Sequence, residues 1–282
     1  MNQIRIGVCE FCFPCRGPIA IGMAHKAGFE GIQLSDCGGS ETGFPFLNSY
    51  VQDCYLKSAE ENGIIFQAMH LQTLFNQKYM KESPKSEKGQ LAHLSLSKGA
   101  LACKEMGIAT MMVTITQIMN KEQYYYSVEN LKYALDECEK NGINLSMEND
   151  LNSEEFMKLQ IDVGTGLKMC FDTMNTVVNE IDYPEIMLQK VGLKAIDHFH
   201  VKDCVENEAG FMTKYTTPFV RLGQGKTHFQ EWAALIRKLD YSGWVISENF
   251  YYDKSFAGVD YVEVASEDAK TLKEVLRSPK GI

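Results

Sequence analysis

Along this chain an amphipathic stretch repeatedly runs into a glycine and then into a short apolar run rich in β-branched residues. The copies are KAGFEGIQLSD, ENGIIFQAMH, EMGIATMMVT, KNGINLSMEND, GTGLKMCFD, KVGLKAIDHFHVKD and YSGWVISE. Glycine tolerates the left-handed backbone that ends a helix, so helix, glycine, strand is the order an α-to-β turn requires. With the opening run IRIGVCE as the first strand, the pattern predicts eight strands. Each run is too short for a buried helix, and helix-period segments such as 127–140 and 229–239 lie between the runs.

Strands alternating with helices give a parallel sheet with right-handed crossovers. A count of eight predicts closure, because eight tilted parallel strands just fill their interior with side chains. The expected fold class is therefore α/β, a (β/α)8 TIM barrel, with residues 1–282 forming one domain. The rival, a doubly wound open sheet, would offer a glycine-rich phosphate turn after an early strand; the nearest candidate, Gly38-Gly39, lacks the GxGxxG spacing. No low-complexity segment or Pro/Gly linker interrupts the pattern. Two longer connections, 72–87 and 203–226, both follow strands, on the face where barrel enzymes work.

Composition narrows the partners. At 282 residues the chain can bury a substantial core unaided, and its formal charge of −9 repels phosphate backbones and anionic headgroups, so neither nucleic acid nor a membrane is expected as a partner. No stretch approaches the roughly 20 apolar residues of a bilayer span, and the first seven residues lack a secretory run, so a cytoplasmic location is expected. The nine cysteines are scattered, mostly where an apolar residue would serve, which fits a reducing compartment. Cys9, Cys12 and Cys15 are clustered in VCEFCFPCRG, but no fourth ligand follows at a recognised spacing. The preferred reading is a strand end plus an irregular loop rather than an iron–sulfur or zinc knot.

In a parallel barrel every strand C-terminus points to one face, so residues ending the runs converge on one pocket. They include Asp36, His70, Glu148, Asp172, His200 with Asp203 just beyond, and Glu248. A single carboxylate there is ordinarily the start of a solvated loop. Glu148, Asp172, His200 and Glu248, however, end four successive strands, and three carboxylates packed together without a cation would force at least one to take up a proton. A divalent metal removes that cost. Three carboxylates and one imidazole form an oxygen-rich set that suits manganese first, with magnesium, cobalt, iron(II) and zinc as alternatives.

The runs GFEGIQL, FQAMH, INLSMEND, MCFDTMN, IDHFHVKD, RLGQGKTHFQEW and GWVISENF, in that order and at strand ends, make the chain resemble the xylose-isomerase-like barrels grouped as sugar phosphate isomerases/epimerases. That family includes ketose 3-epimerases, hydroxypyruvate isomerases and inosose dehydratases. The resemblance implies that Glu148, Asp172, His200 and Glu248 ligate the metal and that Glu148 and Glu248 also serve as the acid/base pair on opposite faces of the substrate. A metal on a substrate carbonyl and neighbouring hydroxyl would acidify the adjacent C–H and stabilise an enediolate, which suits that role.

The resemblance also implies substrate contacts from His70 and from Glu154, six residues after Glu148. For Glu154 the alternative is an exposed place at a helix N-terminus, where a carboxylate favours the dipole. Lys202 and Arg221 are candidates to reach a substrate phosphate or carboxylate, against loop ion pairs of little worth. His198 sits on the same side of its strand as His200, one layer deeper, and a hydrogen-bonding role is expected for it. Phe11, Phe13, Phe44 and Phe46 could shield a sugar's apolar face or simply join the core. The chain departs from the ketose 3-epimerase pattern at three places: Asn175, also a substrate-contact candidate, stands for a histidine, Glu206 for an arginine, and Asp150 where some relatives have a histidine.

The leading expectation is a metal-dependent isomerase or epimerase of a small sugar, sugar phosphate or polyol derivative. A carbohydrate dehydratase of the inosose type shares the first step. A non-catalytic sugar- or metal-binding barrel is a further alternative. A DNA-repair endonuclease of the related abasic-site fold would need more strand-end histidines and a less acidic chain. Family members often pair, and the aromatics at 124–126 and 250–252 are candidate interface residues for a homodimer.

Overall fold

The computed structural model describes residues 4–212 and 217–277. Each glycine-led run is a strand: β1 Arg5–Cys9, β2 Gly31–Ser35, β3 Ile65–His70, β4 Thr110–Ile115, β5 Asn144–Asn149, β6 Leu167–Asp172, β7 Ile196–Val201 and β8 Trp244–Ser247. They form a closed barrel in the hydrogen-bonded order β1-β8-β7-β6-β5-β4-β3-β2. An outer helix follows each strand: α1 Pro18–Ala27, α2 Ser49–Asn62, α3 Glu87–Glu105, α4 Lys121–Asn141, α5 Ser153–Val163, α6 Pro184–Val191, α7 Phe229–Lys238 and α8 Tyr261–Arg277. The molecule is a (β/α)8 TIM barrel, as the repeat predicts.

The turn chemistry follows the residues. Gly142 takes φ +70° after α4, and its N–H bonds the carbonyls of Cys138 and Glu139, closing the helix before β5 begins. Every residue of β2 and of β4 is buried, as expected for parallel strands covered on both faces. On β7, Phe199 packs edge-on against Trp232 of α7 at 5.1 Å and Tyr241 at 4.9 Å, so the alternation of a strand turns His198 and His200 the other way, into the barrel.

The internal contacts group the chain into two compact regions: 1–32, 59–65 and 171–282 in one, 33–58 and 66–170 in the other. The first carries β1, α1, the last two residues of β6, β7, β8 and α6 to α8. The second carries β4, β5 and α3 to α5, with most of β3. The connection 72–87 holds a short helix, Gln72–Gln77, and a single turn, Tyr79–Lys81. The connection 203–226 holds a two-stranded antiparallel ribbon, Asp203–Cys204 with Phe219–Val220; its residues 213–216 lie outside the described residues. Among the described residues no helix is long and apolar enough to cross a membrane.

Candidate metal centre

Three of the predicted ligands come from the first region. Asp172 ends β6 and also caps the short helix Thr173–Val178: its Oδ1 accepts from the Asn175 N–H at 2.8 Å, which fixes the carboxylate's rotamer. His200 lies on β7 in register with Ile246 of β8, two residues before Glu248, and its Nδ1 is 3.1 Å from Glu248 Oε2. The other ring nitrogen, Nε2, lies 3.8 Å from the Cys9 thiol at the end of β1. Lys202 reaches between two carboxylates, with Nζ 2.6 Å from Asp172 Oδ2 and 2.7 Å from Glu248 Oε2. Burial alone pushes the Glu248 carboxyl up; the Lys202 ammonium and His200 outweigh it and hold the group well below the usual carboxylate range.

Glu148 comes from β5. Thr114 on β4 is its register partner, and the Thr114 hydroxyl is 3.0 Å from Glu148 Oε2 and 3.0 Å from His70 Nε2. A hydroxyl has one proton and a carboxylate only accepts, so Thr114 donates to Glu148 and His70 donates its Nε2–H to Thr114. The ligand-type atoms of Asp172, His200 and Glu248 all lie within 4.8 Å of one another, and all three residues are buried; Glu148 is a buried carboxylate of the second region. Ions of the expected class hold such atoms at about 2.0–2.3 Å, so atoms across an ion stand up to about 4.5 Å apart.

The remaining candidates are distributed differently. His70 is engaged through Thr114. Asn175 is buried beside Asp172, which its N–H caps. Glu154 is exposed on the first turn of α5, where Asn152 and Glu155 form a capping box. Arg221 pairs with Glu267 of α8, and Glu206 with Lys226. Asp150 accepts from the Gln117 N–H at 2.9 Å. Asp36 is buried and accepts from the Thr73 N–H at 3.2 Å. His198 bonds Asp197 at 2.7 Å, and its ring lies 5.2 Å from that of His200. Phe13 and Phe46 are core residues, packed on Tyr251 and Tyr55. The thiols of Cys12 and Cys15 face Ser247 O and the Met23 sulfur, at 4.0 and 3.4 Å. None of the nine cysteines forms a disulfide.

Two sets of residues went unnoticed in the sequence. Thr114 is one, because hydroxyls were passed over in the count of strand ends; its place at the end of VT in the fourth run, opposite the E of SMEN, was the available signal. The other is Asn249 and Asp268, which join the network of Asp203, itself one of the strand-end residues. Asp203 Oδ2 accepts the N–H groups of Gly223 and Gly225 at 2.9 Å each, and Oδ1 the Thr227 hydroxyl at 2.8 Å, shaping the LGQGKT turn. A cavity of about 750 Å³ bordered by Thr176, Tyr183, Lys226 and His228 touches Asp203 but none of the four candidate ligands.

The xylose isomerase-like TIM barrel model matches residues 21–277. The chain belongs to that family. Compared by sequence with curated proteins, this xylose isomerase-like barrel matches none. Its solved structural neighbours include D-allulose 3-epimerase from Methylomonas sp. (14% identity, TM-score 0.74, 98% of this chain and 99% of that one). Another is a probable 3-DHS dehydratase, AsbF, from Bacillus anthracis (15%, TM-score 0.71, 97% and 99%). A third is the IolI protein with a bound zinc atom (17%, TM-score 0.73, 99% and 100%). At these identities the likeness is one of fold.

Proposed function

We propose that this xylose isomerase-like barrel is a metal-dependent isomerase or epimerase of a small sugar, sugar phosphate or polyol derivative, working by glutamate-mediated proton transfer. The observation that carries the proposal is the meeting of Asp172, His200 and Glu248 within 4.8 Å, to which we add Glu148 as the fourth ligand. Charge fixes the kind of ion that fits. Three carboxylates carry −3 and the Lys202 ammonium +1, so a divalent cation brings the proposed cluster to neutrality. Oxygen-rich ligation favours manganese, with magnesium, cobalt, iron(II) or zinc also fitting.

When bound, the ion supplies Lewis-acid polarisation of a substrate carbonyl and its neighbouring hydroxyl. The chain's own residues do the rest. Glu148 and Glu248 stand on strands separated by β6 and β7, and one removes a proton from the carbon beside the carbonyl while the other returns one from the opposite side. The Thr114 hydroxyl holds Glu148 Oε2 and so fixes how that carboxylate is presented. Lys202 holds Asp172 and Glu248 in place and offers positive charge to a developing oxyanion.

The test is carbon-bound proton exchange in D2O with a panel of ketoses and Mn2+. Wild type should incorporate deuterium, and Glu148→Gln and Glu248→Gln should each lose about 10²–10⁴-fold. Full exchange in both variants contradicts the mechanism. A dehydratase is the second reading, favoured by Asn175 and Glu206 standing where ketose 3-epimerases carry histidine and arginine. Loss of water in the product mass would select it.

A further inference from the structure

The buried carboxylate of Asp268 has no part in the chemistry above, yet it joins the segments that carry two of the candidate ligands. Asp268 lies on α8 and is fully buried. Its Oδ1 accepts from the Leu222 N–H at 2.9 Å, and its Oδ2 from Asn249 Nδ2 at 2.7 Å. Asn249, also fully buried, is the residue after Glu248. Its Nδ2 donates to Val220 O at 3.0 Å, and its Oδ1 accepts from the Asp203 N–H at 3.2 Å. The β7–β8 ladder itself continues to Glu248, whose N–H donates to Val201 O at 2.9 Å. The Asn249 side chain thus ties the chain just past His200 and Lys202 to the chain just past Glu248, and Asp268 locks that side chain in its orientation.

We propose that Asn249 and Asp268 form a positioning pair that sets the spacing between the ends of β7 and β8, and with it the approach of His200 to Glu248 for metal. The inference rests on the metal reading above. An ion pair or a leucine would pack α8 against this loop without a lone buried carboxylate, whose burial pushes its pKa up to about 7 against the pull of its hydrogen bonds. What a carboxylate adds is acceptance at both oxygens, toward Leu222 on one side and Asn249 on the other; an asparagine accepts at one only. In Asp268→Asn an amide NH2 must therefore face either the Leu222 N–H or the Asn249 NH2. In Asn249→Asp two carboxylates face each other. The reciprocal double variant restores one donor and one acceptor across the 249–268 contact.

The experiment titrates the metal-stripped full chain with Mn2+ at pH 8, reading free Mn2+ by electron paramagnetic resonance, beside urea unfolding of each variant. Asp268→Asn and Asn249→Asp should each weaken Mn2+ binding at least tenfold, and the double variant, whose carboxylate at 249 still opposes Val220 O, should recover part of that loss relative to Asn249→Asp. Asn249→Ala, which breaks the tie without opposing two like groups, carries the same tenfold expectation should Asp268→Asn fail to fold. Folded single variants that bind Mn2+ like wild type, or a loss that the double variant does not recover, overturn the positioning pair alone. A wild type that binds no Mn2+ overturns the metal reading and this inference together.

Discussion

Thr114 is neither an acid, a base nor a metal ligand at neutral pH, yet its single proton decides how Glu148 is presented. Because the hydroxyl donates to Glu148 Oε2 and accepts from His70, both 3.0 Å away, the carboxylate is held at one oxygen by a group that is itself held. Valine has nearly the same shape and no hydroxyl. Thr114→Val should lower kcat for carbon–proton exchange by about ten- to a hundredfold, the scale of one lost charge-assisted hydrogen bond, while KM moves little and Thr114→Ser restores most of the rate. Steady-state exchange kinetics on the three proteins check this; an unchanged kcat in Thr114→Val would show that Glu148 needs no such hold. Lys202 is the other residue whose position matters more than its type suggested. A substrate contact is one expectation for it, but its ammonium already lies between Asp172 and Glu248, so it contributes first to the charge balance of the cluster.

At the scale of elements, the strands were legible because each is an apolar run led by a glycine that closes the preceding helix. The boundaries were less so. The apolar period of 127–140 begins a turn and a half late, since α4 starts at Lys121 under the Asn120 cap with a polar first turn that carries no periodic signal. The short helix Thr173–Val178 was invisible because its cap is Asp172 itself, read as a metal ligand and not as a helix start. The LGQGKT turn shows what loop chemistry adds. A Cβ on Gly225 would come within 2.4 Å of the Cys204 carbonyl oxygen, and that backbone cannot yield as a flexible side chain can. Gly225→Ala should therefore destabilise the protein by about 1–3 kcal/mol and expose 221–227 to limited proteolysis, both measured against wild type. Equal stability and an equal cleavage pattern would show that the Asp203 cradle is not close-packed.

For the whole molecule, the legible part of the site was the part that topology dictates. Once eight parallel strands close, residues ending them must share one face, and Glu148, Asp172, His200 and Glu248 are the strand-end residues whose types suit a metal. What topology does not dictate stayed hidden. Thr114, Asn249 and Asp268 act through hydrogen-bond geometry between segments distant in the chain; Thr114 is marked only by its strand-end place, and nothing in residue type or local pattern marks the other two. The long-range charge of −9 is likewise consistent with a neutral carbohydrate ligand or a divalent cation, without choosing a substrate. The most direct measurement is a calorimetric titration of the metal-stripped protein with Mn2+, repeated on Asp172→Asn and His200→Gln. One ion per chain in wild type, with affinity reduced about a hundredfold or more in each variant, is the expected result, since each substitution removes a ligand from the buried set. Binding of unchanged stoichiometry and strength in both variants would place the cation elsewhere and remove the basis of the proposed chemistry.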